Sequence, residues 1–294
     1  MYHRGDLSVL ADFCAGEDVT IGAEGSGFRS VTIVGFLEAI NQTKCHAKAY
    51  AAVSGSAGPI ASHMAGQSDG TFEVYKKLAK DGCITWEWKW VFPYGWLLLP
   101  TYDHGKLIHE IESNLDVRAL QKNPSQLGLA VLRYTDGKGE ILEGKDDPLT
   151  KISATTSIPG MCTPVTINGV PYVDGINIRI TPAARKYWAR KILVLRSRRR
   201  WWWEEVLYPH IVRCNFAALP APLARAVATA DMTFERELER LRTCERIRYL
   251  EIGPDDDDPF LWQWCRDIEM LTKMRDNARD YMLRLIDKAL TVPI

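Results

Sequence analysis

Twice within about the first 65 residues, a short apolar run ends in a turn of small residues and leads at once into helix-spaced sequence. Residues 18–23 give way to Gly25-Ser26-Gly27-Phe28-Arg29-Ser30, after which Val31, Val34, Leu37 and Ile40 fall on one helical face. Residues 47–53 end at Ser54-Gly55-Ser56-Ala57-Gly58, and residues 60–64 start another helix. Strand, tight turn and helix in repetition is the rhythm of a sheet with crossover helices, so the chain reads as α/β. Further strands are expected at 127–133, 152–155, 191–195 and 247–252, with a hairpin of 165–167 and 170–173 around Asn168-Gly169. Helices are expected at 73–80, 106–113 and 182–189, and as two long segments at 223–244 and 259–290.

At 294 residues and 46% hydrophobic, the chain can bury a large core. Its 37 basic and 37 acidic residues cancel, so no whole-molecule field draws it to nucleic acid or to an anionic membrane. Seven scattered cysteines, none paired at a two-residue spacing, offer neither a zinc ribbon nor a redox pair, and their odd number points to a reducing compartment. Residues 1–10 carry Arg4 and Asp6 and no signal-like apolar core, and no apolar run approaches the roughly 20 residues of a membrane helix. The expectation is a cytoplasmic protein, either soluble or bound to the inner membrane only at its surface.

Three short motifs can carry chemistry. A serine in a small-residue turn between strand and helix is the setting of a nucleophile elbow, and Ser56 occupies it, with Ser54 where the first glycine of Gly-x-Ser-x-Gly would stand and Gly58 at the last. A plain Ser/Gly turn gives the same pentapeptide. The loop Gly25 to Ser30 directs backbone N–H groups toward one point before a helix, which suits an oxyanion or a phosphate. It lacks the Lys-Ser/Thr ending of a nucleotide loop. Asp174-Gly175 closes the hairpin, as a turn cap or as a base.

In this order the three motifs resemble those of the patatin-like phospholipases: a glycine-rich loop, a Gly-x-Ser-x-Gly elbow and an Asp-Gly-Gly/Ala element. The stretch Ser153-Ala154-Thr155-Thr156-Ser157-Ile158-Pro159-Gly160, with Pro164 after it, is similar to the family's segment before the aspartate. The resemblance spans about residues 18–195. It implies a three-layer α/β/α fold with a mostly parallel central sheet. The expected division is a catalytic domain at 1–215 and a helical C-terminal extension at 216–294 packed on the same domain. It further implies a Ser-Asp dyad of Ser56 and Asp174 that needs no cofactor and no metal. Gly25, Ser26, Gly27 and Phe28 would form the oxyanion hole, and Arg29, Gly55, Gly58 and Gly175 would support it. The substrate would be a phospholipid or lysophospholipid, with transfer of the acyl group to another alcohol as a variant. Ser26, Ser30 and Ser54 stand where the family has glycine, and Ile176 where it has a small residue. A catalytically inactive scaffold that binds membranes or partners is the competing reading.

Two aromatic segments bear on lipid. Trp86, Trp88, Trp90, Phe92, Tyr94 and Trp96 alternate, so an extended run puts them on one face, either at a lipid interface or in the protein's own core. Arg196-Ser197-Arg198-Arg199-Arg200-Trp201-Trp202-Trp203 follows the expected strand 191–195. That places it on the sheet edge where sites form, as a lipid-binding patch or a solvated rim. Nucleic acid uses the same residue types, but the zero net charge argues against it. Oligomeric state has no signature.

Overall fold

The computed structural model describes residues 1–43, 45–91, 95–176, 186–187, 190–197, 219–255 and 265–291. The chain opens with β1 (Tyr2–Gly5), α1 (Ser8–Cys14) and β2 (Thr20–Ala23). A 3-10 turn at Gly27–Ser30 leads into α2 (Val31–Thr43), and β3 (Ala49–Ala52) passes through a second 3-10 turn at Ser54–Ser56 into α3 (Ala57–Met64). Next come α4 (Ser68–Asp81), an aromatic ribbon of β4 (Ile84–Val91) and β5 (Gly95–Tyr102), α5 (His104–Asn114) and α6 (Val117–Lys122). They are followed by β6 (Gln126–Arg133), β7 (Gly139–Glu143), α7 (Pro148–Thr156), β8 (Val165–Ile167), β9 (Val170–Asp174) and β10 (Lys191–Leu195). The last described elements are α8 (Ala221–Ala228), α9 (Ala230–Arg242), β11 (Arg248–Gly253) and α10 (Ile268–Thr291).

Among the described residues, nine strands form one sheet in the order β1-β11-β10-β2-β3-β6-β9-β8, with β7 also on β6. Strands β11, β10, β2, β3 and β6 run parallel, and the antiparallel pairings lie at the two ends. Strand alternation sorts the core into two layers. Tyr50, Ala52, Leu193, Leu195, Leu250 and Ile252 face one way, packed with residues of α1, α2, α3 and α10. Ala51, Val53, Ile192, Val194 and Tyr249 face the other way, against Phe234, Leu238 and Leu241 of α9. Helices on both faces of a mostly parallel sheet make the expected three-layer α/β/α architecture. Helix α10 lies along α2 so closely that a Cβ at Gly35 would stand 2.1 Å from the Arg275 carbonyl oxygen.

The neighbours of β6 set up the site. Strand β3 pairs with Gln126–Leu129 of β6, β7 with Gly128–Leu132, and β9 with Val131–Arg133. A strand has two edges, so the overlaps put β7 on one edge and both β3 and β9 on the other. Strand β3 runs parallel to β6 and β9 antiparallel. Their C-terminal ends therefore point at each other along one edge of β6, separated by the width of Ala130.

Three expectations need correction. Residues 152–155 belong to helix α7 rather than a strand; Pro148 begins the helix, and Leu149 and Ile152 recur at helical spacing. A four-residue apolar run does not separate a strand from a buried helix turn. The long helix expected at 223–244 is two, α8 and α9, divided at Thr229, whose hydroxyl donates to the Arg225 carbonyl. The aromatic run is a hairpin, not one strand. Its register sets Trp86, Trp88 and Trp90 opposite Pro100, Leu98 and Trp96. Phe92 and Tyr94 lie outside the described residues, as do the helix expected at 182–189 (apart from 186–187) and the start of that expected at 259–290. Among the described residues, no helix is long and apolar enough to cross a membrane.

Candidate active site

The chain turns from β3 into α3 within four residues, and the backbone strain of that turn falls on Ser54. Ser54 has φ +53°, a left-handed conformation that costs a non-glycine residue on the order of 1 kcal/mol. Its N–H donates to Thr155 Oγ1 at 3.2 Å, and the Thr155 hydroxyl donates to the Ala130 carbonyl at 2.6 Å. The fully buried Thr155 on α7 thus ties the strained residue to β6. Ser54 is half-buried and lines a cleft between α3, α4 and α5.

Asp174, the last residue of β9, is 2% exposed. Its N–H donates to the Ser157 carbonyl at 2.8 Å, and Oδ1 accepts the Ile176 N–H at 2.7 Å. That second bond depends on Ile176 taking φ +54°, rare for a β-branched residue, which turns its amide back onto the carboxyl. Burial pushes the acid up to about 7, against the downward pull of the Ser54 side chain and of the Ile176 N–H. A carboxyl that titrates there is suited to accept a proton near neutral pH.

Ser56, the serine expected to meet Asp174, sits elsewhere. It is fully buried, with Oγ 2.9 Å from the Val53 carbonyl oxygen and 3.0 Å from that of Ala23, and it accepts the Val53 N–H at 3.2 Å. Its hydroxyl closes the turn and joins β3 to β2. The sequence admits both alignments, because Ser54 and Ser56 are two residues apart. Counted from Ser54, the positions two before and two after are Ala52 and Ser56, both small, as a sharp elbow requires. That symmetry was the available signal.

The glycine-rich loop lies directly against the elbow. A Cβ on Gly25 would stand 2.0 Å from the Val53 carbonyl oxygen, and one on Gly55 would stand 2.6 Å from the Gly27 carbonyl oxygen. The positive φ of the loop falls on Gly27, at +54°, whereas Ser26 is extended at φ −164° and unstrained. Gly27, Phe28 and Gly55 line the cleft beside Ser54. Of the four residues expected to supply oxyanion donors, Ser26 drops out, since its N–H donates to Ser30 Oγ at 3.3 Å. Gly58 also lines the cleft, and Gly175 packs against the Ala130 carbonyl, where a Cβ would stand 2.6 Å away. Arg29 is 5% exposed, built into the turn rather than offered to solvent.

Glu24, just before the loop, is anchored from β10. Its carboxylate accepts the Ser197 N–H at 3.1 Å and pairs with Arg196 at 3.5 Å. Arg196 also pairs with Glu235 and Glu251, and burial, which pulls its pKa down, is outweighed by the charges of the surrounding carboxylates, which keep it charged. It is therefore not one of the arginines free to meet lipid. Arg198, Arg199, Arg200, Trp201, Trp202 and Trp203 lie outside the described residues.

The cleft encloses about 790 Å³, its open mouth included. Its lining is mostly apolar, with Val74, Leu78, Leu107, Ile111 and Leu115, and Ser62 and Asn114 also line it. Cys83 and Tyr102, at the base of the β4–β5 ribbon, line it too. The buried His63 is held between Tyr50 Oη at 3.2 Å and Ser68 Oγ at 2.8 Å, and the half-buried His104 lies 3.0 Å from Thr156 Oγ1. These partners occupy both without Ser54 or Asp174.

No protein-family model matches the chain, and no curated protein does. Among solved structures, the crystal structure of VipD from Legionella pneumophila is similar to this chain at 11% identity and a TM-score of 0.43, covering 92% of this chain and 67% of that one.

Proposed function

We propose that the protein is a serine acyl hydrolase that cleaves carboxylic esters of lipids through a dyad of Ser54 and Asp174. One observation carries the reading. The residue under backbone strain just after β3 has its side chain beside a buried carboxyl poised near neutrality and lines an apolar cleft. Strain of this kind persists where surrounding structure enforces it, as at functional sites. Asp174 takes the Ser54 proton as Oγ attacks the ester carbonyl, then returns it to the leaving alcohol. Water is activated in the same way for deacylation. The N–H groups of Gly27, Phe28 and Gly55 are the candidates to hold the oxyanion, the last because it follows the nucleophile.

The cleft selects the acyl half of the substrate. Its aliphatic walls suit a hydrocarbon chain extending from Ser54 between α3 and α4. The motif order resembles the patatin-like phospholipases, which favours a phospholipid or lysophospholipid as substrate. The β4–β5 ribbon, rich in tryptophan and rooted at the cleft rim, is the element through which the enzyme would meet a lipid surface.

A fluorophosphonate probe and a lysophospholipid-release assay test the proposal. Wild-type protein and Ser56→Ala are expected to be labelled and active, Ser54→Ala neither, and Asp174→Asn slower by at least about 100-fold. Labelling that survives Ser54→Ala would refute the assignment. Absence of labelling in the wild type would favour the inactive scaffold.

A further inference from the structure

We propose that Gly58 is a specificity-determining residue: its lack of a side chain keeps open the stretch of cleft beside Ile111 that takes an acyl chain running on from Ser54. The inference rests on the Ser54–Asp174 reading and concerns which acyl groups that site admits.

With Ser54 as nucleophile, Gly58 has no part in the elbow. The small residue two positions after Ser54 is Ser56, so Gly58 does not stand where the sharp turn needs a glycine. Gly27, Gly55 and Gly58 all line the cleft, and the backbone accounts for the first two. Gly27 carries a φ of +54°, and at Gly55 a Cβ would stand 2.6 Å from the Gly27 carbonyl oxygen. Gly58 meets neither constraint. It lies in the first turn of α3, outside the left-handed region. A Cβ there would reach Ile111 Cδ1 at 3.6 Å and Cγ1 at 3.9 Å, ordinary van der Waals contact. Among the described residues beyond its own helix, it would meet nothing else within 4 Å. Alanine would therefore fit, and it is the better helix former. What the glycine preserves is space.

That space has a place along the substrate. Helix α3 lines the cleft with Gly58, Pro59 and Ser62, α4 lines it with Val74 and Leu78, and α5 with Ile111. The residues from α3 are the small ones, so the room for a chain is set on that helix. Four residues of helical backbone carry the polypeptide about 6 Å from Ser54 to Gly58. An acetyl group bound to Ser54 ends short of that point, whereas an octanoyl chain that follows α3 must pass it. A side chain at position 58 would project beside Ile111 and take the volume of the methylenes that lie there. In an apolar pocket, one methylene more or less changes discrimination by about 10-fold or more. A bare position at this depth therefore admits medium and long acyl chains, and a filled one would favour short acyl groups.

Gly58→Ala, Gly58→Leu and the double variant of Gly58→Leu with Ile111→Ala would be assayed on p-nitrophenyl acetate, butyrate and octanoate, with urea unfolding of each. The quantity read is the ratio of kcat/KM for octanoate to that for acetate. It should fall by about 10-fold or more in Gly58→Leu, and by less in Gly58→Ala. The double variant should recover most of the ratio, because removing the Ile111 side chain returns the room that leucine takes. The urea midpoint of Gly58→Ala should be no lower than that of the wild type. An unchanged ratio in folded Gly58→Leu, equal losses on all three esters, or losses that multiply in the double variant would each overturn the inference. So would a lower midpoint in Gly58→Ala, since the space would then not be open. Ser54→Ala run alongside separates the two failures. If it abolishes ester turnover while Gly58→Leu keeps the wild-type ratio, the hydrolase stands and the role of Gly58 falls; if it leaves turnover intact, both fall.

Discussion

Replacing Asp174 by Asn should destroy activity and stabilise the fold, by an amount that grows with pH. The Asp174 acid is raised from 3.8 to about 7 because folding takes the carboxylate out of water. The folded protein therefore holds a proton there, between pH 3.8 and 7, that the unfolded chain has released. Stability attributable to this group falls as pH rises through that window and is constant above it. At 1.36 kcal/mol per pKa unit, the titrating acid lowers stability by about 1 kcal/mol at pH 4.5, where only the unfolded chain ionises, and by about 4 kcal/mol at pH 8, relative to a neutral isostere. Asparagine is such an isostere: its carbonyl oxygen can still accept the Ile176 N–H, and its amide can donate to Ser54 Oγ. Urea unfolding of the two proteins should differ by about 3 kcal/mol more at pH 8 than at pH 4.5. Acid also destabilises the fold through His63, whose burial lowers it to about 4, but both proteins share that effect and it cancels in the difference. In the wild type, kcat/KM should climb tenfold per pH unit below about 7 and level off above it, since only the carboxylate can take the serine proton. An Asn variant with the same advantage at both pH values, or none at pH 8, would refute the buried-base argument.

Ser54→Gly should be inactive and more stable than Ser54→Ala by about 1 kcal/mol, since only glycine relieves the φ of +53°; equal urea midpoints would deny that the elbow is strained. Thr155→Val, nearly isosteric, leaves the Ser54 N–H and the Ala130 carbonyl without the bonds they now make to one hydroxyl. It should lose about 2–4 kcal/mol in urea unfolding and label more slowly with a fluorophosphonate, whereas Thr155→Ser should retain most of both. Ile111→Trp, on the cleft wall, should shift the preferred acyl chain to shorter lengths in a series of p-nitrophenyl esters, with turnover of the shortest ester within a fewfold of wild type; an unshifted series would mean the chain lies elsewhere.

The repeated strand–turn–helix unit made the α/β class legible in the sequence, because hydrophobic period and small-residue turns are local properties. The glycine of the loop that needs positive φ, Gly27, is a glycine in the sequence too. The long helix expected at 223–244 failed for a reason equally local: the break at Thr229 carries neither proline nor glycine to announce it. Asp174 was also visible, as the residue that ends a hairpin whose turn signal is unambiguous.

What the local pattern left open was which hydroxyl the aspartate meets. Ser54 and Ser56 share one small-residue turn, and motif spacing favours Ser56. Only the packing of β3 and β9 end to end along one edge of β6 brings Ser54 to Asp174 and points Ser56 back toward β2. The value of Thr155 is likewise invisible in sequence, since its hydrogen bonds join residues of different elements. A side chain two positions along a strand or turn changes direction, not type. Type is written in the chain; direction is decided when distant segments compete for the same space.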